Sequence, residues 1–501
     1  MQQTDEQKAL VEGSERGENF MGEARAGAGK TTILKQISAA PKNKRKRVTL
    51  VVFNVKNANE IKNDENKPDN LTASTFHSLC LKTLGKGFIV KTKQFKEGKW
   101  TKGKIEELLL YDEDKCFSHF DRDATKEEKQ ERKENYDEAE NCVRLLKNSY
   151  VNPSFTDTIN LMSKYQISPS MDRSEFAYKV LDILKKSDED VRHIDYDDMI
   201  RFCVIHGKCK NILADMFVLD EAQDNTPIRT KALGIISENC QVGAVGDDRQ
   251  AAYFFAGAES DSIAKILQEV PDMVRYPLTV NFRCDKSIIR EAQKWVPDIK
   301  YLDSKEEGEV VYTQMKDLSK IIKPGDVGIS RYNAVIIAQA FRFIRQGVAA
   351  TIQGADFGKM LKSQISGFKA TSIEEFYARL GAWHDKQCKY SDNNPSEAVT
   401  ERFECLKFLA DNSDTVEGIA SFIDSVFVDK TSKDTITFST AHRAKGLEWN
   451  RVHVLDSDNF IAKGPNVGAE QAKQELNLMY IAITRARHFL NFCQGDKKVI
   501  M

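Results

Sequence analysis

Nine residues near the amino end, Ala24-Arg25-Ala26-Gly27-Ala28-Gly29-Lys30-Thr31-Thr32, have the types and spacing needed to grip a phosphate chain. Gly27 and Gly29 let the backbone curl, so that successive N–H groups from Ala26 through Gly29 turn toward one point. Lys30 can neutralise the outer phosphates, and the hydroxyl of Thr31, with Thr32 beside it, can ligate Mg²⁺. The run Ile33-Leu34-Lys35-Gln36-Ile37 reads as a helix whose N-terminus adds positive dipole at the same place. Ala24 stands where the pattern G-x-x-x-x-G-K-[ST] has its first glycine. Alone, the segment also fits a glycine-rich turn before a helix.

A second segment supplies the acid. Met216-Phe217-Val218-Leu219 reads as a buried strand and runs straight into Asp220-Glu221-Ala222-Gln223-Asp224. In a parallel sheet, ligands bind at the carboxyl ends of strands, where this pair of carboxylates falls. Asp220 is placed to hold the metal and Glu221 to take a proton from an attacking water. A solvated acidic loop is the competing reading, and four apolar residues leading in without a turn argue against it.

The elements that must position these groups are those of a globular α/β chain. Of 501 residues, 41% are hydrophobic and 30% charged, a balance with room for several cores. The net charge of −1 excludes a protein that coats nucleic acid by bulk charge, though not one with a local positive groove. Ten cysteines without a C-x-x-C pair signal neither a zinc finger nor an iron–sulfur cluster, and buried free thiols are expected. No long apolar run or leader-like start is seen, so the expected location is cytoplasmic, or nuclear in a eukaryote, and not secreted.

With both segments in view, the chain resembles the UvrD/Rep/PcrA type of superfamily 1 helicases, whose other motifs follow in order. Gln7 resembles the glutamine that reads adenine, and Val51–Ala58, with Phe53, Asn54 and Lys56, resembles the motif lying along a DNA backbone. Thr75-Phe76-His77-Ser78-Leu79 matches the family's TFHSL, and Val245–Gln250 the motif whose glutamine, here Gln250, senses the γ-phosphate. Tyr253 and Phe255 fall where the family stacks bases, which read bare is as much a core pattern as a platform. Asn281-Phe282-Arg283 resembles NYR, with the ring near adenine and the arginine on the γ-phosphate. Thr440–Trp449, with His442 and Glu448, resembles TxHxxKGLEF, and Tyr480–Arg487 resembles YVAxTRA, with Arg485 as a second γ-phosphate arginine. Three departures stand out: Ala256 where the family has an arginine, Arg249 for an acidic or amide residue, and Asn54 for a threonine.

The resemblance implies two RecA-like P-loop motor domains, parallel sheets flanked by helices, with mainly helical insertions. The expected partition is 1–84 with 193–275 (domain 1A), 85–192 (1B-like insertion), 276–358 with 431–501 (2A), and 359–430 (a reduced 2B-like insertion). It implies ATP and Mg²⁺ as ligands and single-stranded DNA and strand junctions as partners, for a monomer moving 3′-to-5′. Because Lys30 and Arg283/Arg485 lie in opposite halves, ATP would favour closure of the lobes and hydrolysis would release it. An ssDNA translocase in a repair, recombination or defence complex, with little unwinding of its own, is the nearest rival. A nucleotide-gated switch is the rival from another class. Within the first insertion, Lys91–Lys104 interleaves lysines with Phe95 and Trp100, reading equally as a nucleic-acid contact or a solvated hairpin. The alternating charges of Lys126–Glu140 predict an exposed helix laced with i,i+4 pairs.

Overall fold

Short apolar runs, several of them unbroken, dictate the first sheet. Phe20–Ala24 (β1), Val48–Val52 (β2), Leu71–Thr75 (β3), Met216–Leu219 (β4), Gln241–Gly246 (β5) and Val274–Leu278 (β6) pair in the order β6-β1-β5-β4-β2-β3. Every pairing is parallel. Strands covered on both faces need apolar side chains on both, and all of β2 and β4 is buried. The computed structural model describes residues 3–96, 99–112, 114–119, 121, 123–252, 257, 261–390, 397–428, 432–461 and 469–495. The chain divides into a first unit, Met1–Ala24 with Gly29–Leu278, and a second, Arg25–Ala28 with Thr279–Met501.

Strand order is what builds the first unit's site. The chain leaves β1, lays down β2 and β3 at one side, then returns to place β4 and β5 between β2 and β1. The segments that follow β1, β4 and β5 therefore emerge side by side at the carboxyl edge. The helices that matter here are α1 (Asp5–Arg16), α2 (Lys30–Ala39), α3 (Phe76–Leu84), α4 (Lys104–Leu110), α5 (Lys126–Ser149), α6 (Arg173–Glu189), α7 (Tyr196–Ile205) and α8 (Pro227–Ser237).

Residues 105–184 keep a hydrophobic core of their own, built on Leu109, Phe117, Leu146, Phe176 and Val180. A buried ionic cluster joins this core to α7. Asp195 caps α7 and forms a capping box with Asp198. Lys147 Nζ lies 2.7 Å from Asp195 and 2.5 Å from Asp198, and Lys104 Nζ lies 2.8 Å from Asp198. All three partners of that inner cluster (Lys104, Lys147, Asp198) are at most 2% exposed in their side chains. Lys104 thus belongs to the interior, which corrects its reading as part of a nucleic-acid contact or solvated hairpin. The hairpin itself forms, Gln94–Lys96 against Lys99–Thr101. The charged helix expected over Lys126–Glu140 forms as α5, with a Lys133–Asp137 pair, but it is not exposed throughout, since Asn135, Tyr136 and Ala139 are buried.

The second unit carries a seven-stranded parallel sheet. Glu309–Gln314 (β7), Val327–Ser330 (β8), Ala350–Gln353 (β9), Phe427–Val428 (β10), Ile436–Thr440 (β11), Trp449–Leu455 (β12) and Ala486–Gln494 (β13) run in the order β7-β13-β12-β8-β11-β9-β10. Helices α9 (Ala355–Phe368), α10 (Ile373–Tyr390), α11 (Glu397–Asp411) and α12 (Val416–Val426) fill the interval between β9 and β10. Their Leu361, Phe376, Leu406 and Ile423 join Ile352, Ile436 and Phe438 of the sheet in one core. This differs from residues 105–184, which have a separate core. Among the described residues, no helix is long and apolar enough to cross a membrane.

Candidate active site

Gly29 adopts φ 79°, ψ 35°, a left-handed conformation that a glycine takes without steric cost, and caps α2 without a side chain. Lys30, the first residue of α2, is thereby aimed back over the helix N-terminus, where its Nζ lies 2.8 Å from Glu221 Oε2. Burial opposes the lysine's charge, but Glu221, Asp220 and Asp247 together hold its pKa above the ordinary value. Thr31 and Thr32 are exposed on the same turn. Directly after β4, Glu221 takes φ 54°, ψ 46°, a strained conformation for a side chain with a Cβ. Its N–H donates to Asp220 Oδ1 at 2.9 Å. Burial, then the neighbouring Glu221 carboxylate, pushes Asp220 up to about 6, with Lys30 pulling the other way.

A relay runs from this pair to the end of β5. Gln223 Nε2 donates to Glu221, and Gln223 Oε1 accepts from the Asp247 N–H at 2.9 Å. Asp247 Oδ2 in turn accepts from Gln250 Nε2 at 2.6 Å. Gly246 is what allows the approach, since a Cβ there would stand 2.7 Å from Gln223 Oε1 and 3.0 Å from the Ala222 nitrogen. Gln223, Asp247 and Gly246 were not singled out from sequence as parts of the site. The only hint was their place in the DEAQD and GDDRQ segments.

The remaining predicted residues fall in several places. Gln7 closes a capping box with Thr4, its Oε1 accepting from the Thr4 N–H at 3.2 Å. In the second unit, the Ala26 N–H donates to Tyr480 Oη at 2.9 Å, Asn281 Nδ2 to the Ala26 carbonyl at 2.6 Å, and the Phe282 N–H to the Gly27 carbonyl at 2.9 Å. Ala28 is buried. Arg283 pairs with Glu448, and its Nη1 donates to the Thr484 carbonyl at 3.2 Å. Glu448 also pairs with Arg487. Arg485 is 1% exposed and donates to the carbonyls of Ile481 and Leu447, both at 3.0 Å. Burial, then Arg331, Lys445 and Arg443, lowers the His442 imidazole to about 3.

Of the strand-contact candidates in the first unit, Phe53 is 42% exposed and the Lys56 side chain 77%. Thr75 instead caps α3, and Phe76, 3% exposed, packs edge-on against Phe217 in the core. His77 lies edge-on to Tyr196, with its pKa lowered to about 4 by burial and then by Arg229. Tyr253, Phe255 and the departure Ala256 lie outside the described residues.

These groups suit a divalent cation and a polyphosphate. A half-buried carboxyl whose pKa is raised beside a second carboxylate is an oxygen donor set short of positive charge, and Thr31 on the first turn of α2 offers a hydroxyl. It matches a hard ion that keeps most of its ligands from water and phosphate. A glycine-capped helix N-terminus carrying a lysine supplies the phosphate half.

Residues 3–271 match the UvrD/REP helicase N-terminal domain, and residues 366–494 the UvrD-like helicase C-terminal domain. The chain is 21% identical to the ATP-dependent DNA helicase UvrD2 of Mycobacterium tuberculosis, over 69% of this chain and 57% of that one. It is 22% identical to the putative ATP-dependent DNA helicase YjcD of Bacillus subtilis, over 95% of this chain and 77% of that one. It is 24% identical to the F-box DNA helicase protein 1 of Schizosaccharomyces pombe, over 54% of this chain and 33% of that one. The chain thus spans less than two thirds of the mycobacterial and yeast relatives.

Proposed function

The chain belongs to the UvrD/REP helicase family, and from that premise we propose that it is an ATP-hydrolysing motor on single-stranded DNA. The observation that carries this reading is Lys30 Nζ 2.8 Å from Glu221, at a glycine-capped helix N-terminus beside Asp220. Lysine and glutamate satisfy each other. A γ-phosphate competes for Lys30, which frees Glu221 to accept a proton from water. Thr31 and Asp220 would hold Mg²⁺, which would offset the charge of the phosphates. Gln223 and Asp247 connect Glu221 to Gln250, so a change at the nucleotide reaches the segment that leads to Tyr253 and Phe255. Gln7 and Phe282 face adenine, and Arg283 and Arg485 supply guanidinium charge to the transferring phosphoryl group, as the motifs imply.

Residues 1–84 with 193–275 are read as motor domain 1A and 276–358 with 431–501 as 2A, with insertions at 85–192 and 359–430. Phe53, Lys56, Thr75, Phe76, His77, Tyr253, Phe255 and His442 are assigned to the strand, travelled 3′-to-5′. A second reading, a translocase that unwinds little by itself, is favoured by one feature. Among the described residues, helices α9–α12 share the core of the sheet. Strand displacement on 3′-tailed and 5′-tailed duplexes tests both. Unwinding from the 3′ tail alone supports the first reading, hydrolysis without displacement the second, and preference for the 5′ tail contradicts the polarity.

A further inference from the structure

Glu448 is shared by two guanidiniums, and Arg487, the second of them, has no part in the chemistry assigned so far. Glu448 stands one residue before β12, and Arg487 is the second residue of β13. The two strands pair in parallel with Trp449 opposite Ala486, and the Trp449 N–H donates to the Arg485 carbonyl at 2.9 Å. That register puts the Glu448 and Arg487 side chains within reach of each other where the strands begin. The Asp285 N–H donates to the Arg487 carbonyl at 2.9 Å, which ties the segment carrying Arg283 to the same strand. Backbone pairing in the second unit thus sets one carboxylate against two arginines.

The two arginines hold it differently. Arg487 Nη2 donates a hydrogen bond to Glu448 Oε1. Arg283 Nε meets the other oxygen, Oε2, as an ion pair without an aligned hydrogen bond, and its Nη1 donates to the Thr484 carbonyl at 3.2 Å. Burial disfavours the Glu448 carboxylate, but Arg487 and Arg283 outweigh it and keep its pKa below the ordinary value. The Arg487 side chain is 45% exposed, and an ion pair that open adds little to stability, so its effect is to be sought in turnover.

We infer that Arg487 is a positioning residue for ATP hydrolysis: by occupying one oxygen of Glu448, it keeps that carboxylate from closing both oxygens on Arg283, whose guanidinium is left free to turn to the phosphoryl group. The inference rests on the reading of Arg283 as a phosphoryl-binding arginine. A lone carboxylate facing a lone arginine closes into a fork of two parallel hydrogen bonds, and the fork has to be broken each time the arginine is needed. With a second guanidinium on Oε1, the carboxylate's charge is divided and one arm of that fork is already taken.

The test uses the full chain, with ATP turnover at saturating oligothymidylate and binding of a fluorescent ATP analogue. Arg487→Gln should lower kcat roughly tenfold, the effect of one more charge-assisted hydrogen bond holding Arg283, while analogue affinity and melting temperature stay put. Arg487→Lys, which keeps a cation on Glu448, should restore most of the rate. In a Glu448→Gln background no carboxylate holds Arg283, so adding Arg487→Gln should leave kcat where Glu448→Gln alone puts it. An arginine that merely supports the fold would cost the same factor in either background. That result, or a near-normal kcat for Arg487→Gln, overturns the inference. If the wild type hydrolyses ATP and Arg283→Ala is as fast, the reading of Arg283 fails and takes this inference with it. A wild-type chain without turnover defeats the motor reading itself.

Discussion

Asp220→Asn removes a half-buried charge while keeping the side chain's shape, and its consequence can be worked from the site. Burial and Glu221 put the Asp220 pKa at about 6, against 3.8 for an ordinary aspartate. The gap of about 2 units corresponds to about 3 kcal/mol. Because the folded-state value is the raised one, the carboxyl's favourable contribution is complete below about 4 and is lost as pH rises through about 6. Asparagine has nothing to lose. The variant should therefore be more stable than the wild type at pH 8 by up to about 3 kcal/mol, with the gap closing to about 1 kcal/mol at pH 4.5. Urea denaturation at the two pH values, read by hydrogen exchange of β4 amides, measures this, and turnover of ATP should fall at least about a hundredfold as Mg²⁺ loses its carboxylate. A variant no more stable at pH 8, or a gap that widens on acidification, would refute the reasoning that the carboxylate is held at a cost for the metal.

Three further outcomes are expected. Gly246→Ala places a Cβ 2.7 Å from Gln223 Oε1 and 3.0 Å from backbone, so thermal melts should show a loss of about 1–3 kcal/mol, with slowed hydrolysis. Asp198→Ala leaves Lys104 and Lys147 buried without their shared carboxylate, and denaturation should show a loss of about 3–5 kcal/mol; a neutral result would mean water reaches the cluster. Arg283→Ala should bind a fluorescent ATP analogue yet hydrolyse ATP at least tens of times more slowly, and a near-normal rate would remove this residue from the reaction.

Local pattern made much of the first unit legible. Four apolar residues running into two acids can hardly be anything but a strand ending at a site, and Met216–Leu219 is β4 to the residue. The turn Gly27–Gly29 and the helix from Lys30 were fixed equally by local chemistry. The relay was not legible, because Gln223 and Asp247 meet only once β4 and β5 are neighbours. Lys104 misled for a related reason. It looks solvated in any charge count, and only the folding of α4 onto the start of α7 gives it Asp198.

The most direct test is the rate of ATP hydrolysis with and without single-stranded oligonucleotides, for the wild type and for Lys30→Ala. A motor built on the Lys30–Glu221 pair should be stimulated at least about tenfold by the strand, and the variant should be inactive in both conditions. A wild-type rate indifferent to the strand, or a variant that still turns over ATP, would contradict the account.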